Sequence, residues 1–87
     1  MQTYKANIKI LPLKELLDPQ GKAVANNIGS LGITGVQDVR IGKFIELYLT
    51  AESKAAAESE VEKACKELLA NQIMENYEYE IEEFQAD

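Results

Sequence analysis

From Tyr4 to Ile10 the apolar side chains take every second position, with Lys5, Asn7 and Lys9 between them. That two-residue step predicts a strand with one face buried and the other wet. Pro12 closes it, and the short run LPLKELL follows as a connection. The step then lengthens. Val24, Ile28 and Leu31 fall at i, i+4 and i+7, one stripe of a helix. The ends of this helix are punctuated: Asp18 is placed to cap the free amides, Pro19 suits the first helical position, and Gly32 suits a left-handed stop.

Alternation returns from Val36 to about Thr50. Val39, Ile41, Ile45, Leu47 and Leu49 share one face, broken only by Lys43, while Asp38, Arg40, Phe44, Glu46 and Tyr48 take the other. Gly42 interrupts the run without changing its parity, and a glycine weakens a strand unless a bend or a bare backbone is needed. Two backbones fit. One is a single long strand bent at Gly42. The other is a tight hairpin with the loop Gly42-Lys43-Phe44, setting Ile41 against Ile45 and Val39 against Leu47. The bent strand is the preferred reading.

A second helix is expected over Glu52–Ala70, with Thr50 as its cap, Asn71 as its stop, and Ala57, Val61, Ala64, Cys65 and Leu68 as its apolar stripe. A last strand over Tyr77–Phe84 alternates Tyr77, Tyr79 and Ile81 with Glu78, Glu80 and Glu82. The expected fold is therefore α+β, a single domain spanning residues 1–87 in the order β-α-β-α-β. It is a two-layer sandwich with a long bent central strand and two helices on one face of an antiparallel sheet. Splitting the central strand into a hairpin gives the ferredoxin-like alternative.

Composition narrows the function. A net charge of −6 argues against nucleic acid or an anionic membrane as a partner. The charge is uneven: residues 1–49 carry +2 and residues 51–87 carry −8. No apolar run approaches the ~20 residues that cross a bilayer, and a single cysteine fits a reducing cytoplasm. With no histidine and one cysteine, zinc sites of the Cys/His type and His-activated nucleophiles are excluded.

The remaining chemical candidates are weak. Glu78, Glu80 and Glu82 share a strand face and could ligate a metal, but a solvated face that blunts edge pairing explains them more simply. Cys65 falls in an apolar stripe, as a buried small hydrophobe does. DPQG could hold an anion at the helix start, yet Asp18 would occupy the same amides. RIGK has one glycine where a phosphate-binding loop needs a longer glycine-rich turn. No catalytic, cofactor-binding or metal residue is assigned. The unexplained feature is apolar surface. Phe44 and Tyr48 lie on the face expected to be wet, and Arg40 and Lys43 flank an accessible backbone at Gly42. These five residues are the candidate partner interface, with Asp18, Pro19 and Gly32 as structural residues. The competing reading is that Arg40 and Lys43 merely solvate the strand or pair with Asp38 and Glu46.

The string LDPQGKAVANNIGSLGITGVQDVRIGKFIEL, with ELLAN after the second helix and ENYEYEIEE near the end, resembles the PurS family over essentially the whole chain. These are the small subunits of phosphoribosylformylglycinamidine (FGAM) synthase. The resemblance implies a part in the ATP-dependent, glutamine-using amidation of formylglycinamide ribonucleotide, a cytoplasmic step of purine biosynthesis. It further implies a non-catalytic adaptor that associates with itself as a dimer or tetramer. The adaptor would bridge a glutaminase subunit and a synthetase subunit, the latter holding ATP and magnesium, and would help ammonia pass between them. No cofactor is then expected in this chain. The alternative is a freestanding ferredoxin-like dimer that binds a small regulatory ligand.

Overall fold

The computed structural model describes residues 1–13 and 18–85, so Lys14–Leu17 of the predicted connection lie outside the described residues. The two-residue alternation becomes β1 (Gln2–Pro12), the 3.6-residue stripe becomes α1 (Pro19–Ile28) with a 3-10 turn at Gly29–Leu31, and β2 follows at Lys43–Ala51. Next come α2 (Lys54–Ala64), extended by a π-helical turn over Cys65–Leu69, and β3 (Glu75–Glu83). The three strands form one antiparallel sheet in the order β2-β1-β3.

Parity sets the two faces of that sheet. Tyr4, Ala6, Ile8 and Ile10 of β1 point to the α2 side and are buried with Ala57, Val61 and Cys65. The register carries the same face outward to Ile45, Leu47 and Leu49 on β2, and to Tyr77, Tyr79 and Ile81 on β3. Small side chains at Ala57 and Cys65 let α2 lie close over the sheet, and burying Ile8, Ile10 and Val61 supplies about 1.5–3 kcal/mol each.

Four expectations are corrected. The strand does not begin at Val36, because residues 33–42 leave the ladder and pairing starts only at Lys43. The long central strand is therefore shorter and at an edge. The sheet's centre is β1, whose backbone is bonded on both sides. The hairpin alternative also fails, since Ile45 and Leu47 pair with Ile8 and Ala6 of β1 rather than with Ile41 and Val39. The third correction concerns α2. Its cap is Ser53, whose Oγ accepts from the Ala56 amide at 3.1 Å, because Thr50 is still inside β2. The wider π turn also rotates the last residues, leaving Leu68 82% exposed while Leu69 packs on the core. Asn71 does stop the segment, its Oδ1 accepting from the Ile73 amide at 3.0 Å.

The fourth correction concerns the helices. Only α2 lies on the sheet. α1 runs into its own 3-10 extension without comparable contact with the strands, and Gly21, its one buried residue, lies against Val39. The chain is elongated in consequence, 51 × 32 × 15 Å with a radius of gyration of 16.8 Å. A compact chain of this length would have a radius near ~12 Å.

Candidate protein interface

Two surface regions hold the candidate residues. The first is a clasp between the start of α1 and the segment before β2. Asp18 Oδ1 accepts from the Gly21 amide at 3.0 Å, capping the helix, and its Oδ2 accepts from the Ile41 amide at 2.8 Å. One carboxylate thus ties together two segments 23 residues apart. The Gly21 amide, then the Ile41 amide, and then the nearby Arg40 charge hold the Asp18 carboxyl below its ordinary 3.8.

Two glycines complete the clasp by having no side chain. A Cβ on Gly21 would run into the Val39 carbonyl oxygen, and one on Gly42 into the Ile10 carbonyl oxygen. Gly42 is accordingly not a bend and has no positive φ; positive φ among the glycines is confined to Gly32 and Gly35. Its role is to let the approach to β2 pass against the backbone of β1. DPQG and RIGK are the two halves of one contact. Pro19 opens the helix, and Gly32 ends the 3-10 turn at φ 81°. Lys43, at the end of the sheet, reaches Glu75 across β1 at 3.8 Å. Asp18, Pro19, Gly42 and Lys43 line an open depression of about 370 Å³ together with Pro12, Gln20, Ile41 and Glu75.

The second region is the sheet face turned away from α2. Phe44 and Tyr48 lie on it, 59% and 51% exposed. The register sets Lys9 between Phe44 and Glu78, Asn7 between Glu46 and Glu80, and Lys5 between Tyr48 and Glu82. This orders the face into an aromatic margin on β2, a basic centre on β1 and an acidic margin on β3. Lys5 Nζ bonds Glu46 at 2.7 Å, which raises its pKa, and stands 5.9 Å from the centre of the Tyr48 ring. The Tyr48 ring also meets Phe84 edge to face, with centroids 4.8 Å apart.

The structure therefore divides the five candidates. Arg40, Gly42 and Lys43 belong with the clasp, and Phe44 and Tyr48 with the open sheet face. Sequence reasoning missed Lys5, Gly21 and Phe84. Phe84 was within reach, because the parity of Glu78, Glu80 and Glu82 carries on to it. Gly21 was not, since its partner is a backbone atom 18 residues away. Cys65 is buried, and burial pushes its thiol pKa up, as suits a packing residue. Among the described residues, no helix is long and apolar enough to cross a membrane.

Fold and surface define a class: a small α+β chain whose candidate residues lie on open surface. Comparison with known proteins makes this specific. Residues 5–83 match the family described as PurS, phosphoribosylformylglycinamidine (FGAM) synthase. The PurS subunit of Synechocystis is 43% identical over 79 residues, covering 91% of this chain and 79% of that one. The structure of Thermus thermophilus PurS superposes with a TM-score of 0.82 at 40% identity, covering 95% and 99% of the two chains. A chain in the structure of PurLQS from Thermotoga maritima does so with a TM-score of 0.83 at 33% identity, covering 97% and 100%. The chain belongs to the PurS family.

Proposed function

We propose that this chain is the small subunit of FGAM synthase and acts there as a non-catalytic adaptor. It holds a glutaminase subunit and a synthetase subunit together and assists the passage of ammonia between them. The observation that carries this reading is the match over residues 5–83, joined by the full-length likeness to a chain of the PurLQS structure. The surface supports it: the clasp, with Arg40 near Asp18 and Lys43 on the depression, and the open face with Phe44 and Tyr48 are the two areas assigned to partner subunits. On this reading ATP and magnesium belong to the synthetase subunit, and the complex works in the cytoplasm.

Reconstitution tests the proposal. Glutamine-dependent formation of FGAM is measured with the synthetase and glutaminase subunits, with and without this chain. Activity should depend on it, and full activity in its absence would remove the adaptor role. Lys43→Glu with Phe44→Ser and Tyr48→Ser should weaken co-elution of the three subunits while leaving the circular dichroism of the isolated chain unchanged.

A further inference from the structure

Where α2 gives way to β3, three large apolar side chains face water within a stretch of seven residues: Leu68 is 82% exposed, Ile73 83% and Met74 52%. The π turn puts the first of them there, and π turns recur at functional positions. The other two ride on a turn that is tied on several sides. The Asn71 amide donates to Glu75 Oε1 at 2.8 Å, and Asn71 Oδ1 accepts from the Ile73 and Met74 amides at 3.0 and 3.3 Å. Gln72 Nε2 donates to the Lys66 carbonyl at 2.8 Å, drawing the turn back beside the π turn. The Met74 carbonyl accepts from the Leu13 amide at 2.9 Å, which fastens the turn to the end of β1. A loop held this firmly loses little further freedom on binding. Large apolar side chains gathered on it and left in water mark a contact site.

We infer that Leu68, Ile73 and Met74 form a ready-made knob that inserts into an apolar, basic-rimmed pocket on a partner subunit of a different kind. The inference rests on the adaptor reading and adds a third contact to the two areas above. Exposure gives the shape of the contact: side chains more than four-fifths in water, as Leu68 and Ile73 are, fill a recess rather than line one. Charge gives the chemistry of the partner. Lys66 and Glu75 are balanced by Glu62 and Lys43 at 3.9 and 3.8 Å, which leaves Glu67 beside Leu68. Residues 51–87 as a whole carry −8. A second copy would set like charge against like charge here, whereas a basic rim is attracted. Continuity gives the place. Glu75, which accepts from Asn71, also lines the depression at the clasp, so knob and depression adjoin.

The test uses the intact chain with the synthetase and glutaminase subunits. Ile73→p-benzoylphenylalanine, irradiated in the assembled complex, should form a covalent adduct with one of these two subunits. Adducts confined to a second copy of this chain, or an assembled complex without adducts, overturn the inference. Titration adds a second measure. Leu68→Ser with Ile73→Ser should raise the dissociation constant for the partner subunits about tenfold or more, since burying either side chain is worth at least that factor. Far-ultraviolet circular dichroism should stay unchanged, and an unaltered constant overturns the inference equally. Glu67→Lys should slow association at low salt more than at high salt, and equal slowing at both overturns the basic rim. The adaptor reading is judged apart. It falls if FGAM forms at full rate without this chain, whereas a missing adduct beside activity that still requires the chain removes only the knob.

Discussion

The two helices of this chain solve the problem of apolar surface in opposite ways. α2 and its π turn carry seven charged residues between Lys54 and Leu69, and bury a narrow line of small side chains against the sheet. α1 carries one charge up to Leu31 and buries only a glycine. The first is a helix of the monomer's core, with charge on the side that stays wet. The second has the composition of a covered helix without a cover in its own chain. Packing, more than the length of an apolar stripe, decides which helix stabilises the single chain.

Substitutions can break this contrast. The largest effect should come from Val61→Ala, which opens a cavity under α2 and should lower stability by about 2 kcal/mol in urea unfolding. Val24→Ala should cost less than about 1 kcal/mol in the same measurement, because Val24 is already 39% exposed. Equal losses would place both helices in one core.

Gly42→Ala should come next. Its new methyl meets the Ile10 carbonyl, and overpacking of this kind costs at least about 1 kcal/mol, here less than the Val61 cavity. Gly21→Ala makes the corresponding clash with Val39, away from the sheet, and should loosen α1 without slowing amide exchange or hastening it in β1. A destabilised β1 in Gly21→Ala would mean that the helix and the sheet are coupled more tightly than their separation suggests.

Within α2, Leu69→Ala should cost about 1–2 kcal/mol and Leu68→Ala less than about 0.5 kcal/mol, because the π turn exchanges their faces. The reverse order, measured by thermal unfolding, would restore a regular helix phase.

The smallest effect is pH-dependent. Asp18 has a lowered pKa when folded, so its contribution is fully present above its unfolded value near 3.8 and is lost as the pH falls through the folded value. Amide exchange at Gly21 and Ile41 should quicken over that acid range, and Asp18→Asn should flatten the dependence.

Period and parity made most of the fold legible. The alternation at Tyr4–Ile10 and Tyr77–Ile81 reports a sheet covered on one side, and Asp18, Pro19 and Gly32 mark the bounds of α1 through local chemistry. What misled was parity without pairing. Val39 and Ile41 alternate like strand residues, but alternation does not reveal whether a neighbouring strand is there to receive their backbone. At Val39–Gly42 the Ile41 amide donates to the Asp18 carboxylate, and bare glycines let two carbonyls pass close, contacts that leave no periodic trace. The site divides the same way. Phe44 and Tyr48 were visible as apolar residues on a wet face, whereas their link to Phe84 depends on how far the two edge strands lie from each other.

Placing β1 at the centre of the sheet also has a consequence for how the chain comes to be folded. β1 is made before β2 and β3 and needs the later of the two as its second neighbour, with Tyr4 opposite Glu83 and Ile10 opposite Tyr77. Pairs so distant in sequence close slowly, so one edge of β1 must wait unpaired while the intervening residues are translated. Lys5, Asn7 and Lys9 keep one face of the waiting strand charged or polar, a guard against edge-to-edge aggregation. The same lysines that organise the finished surface thus protect the unfinished one.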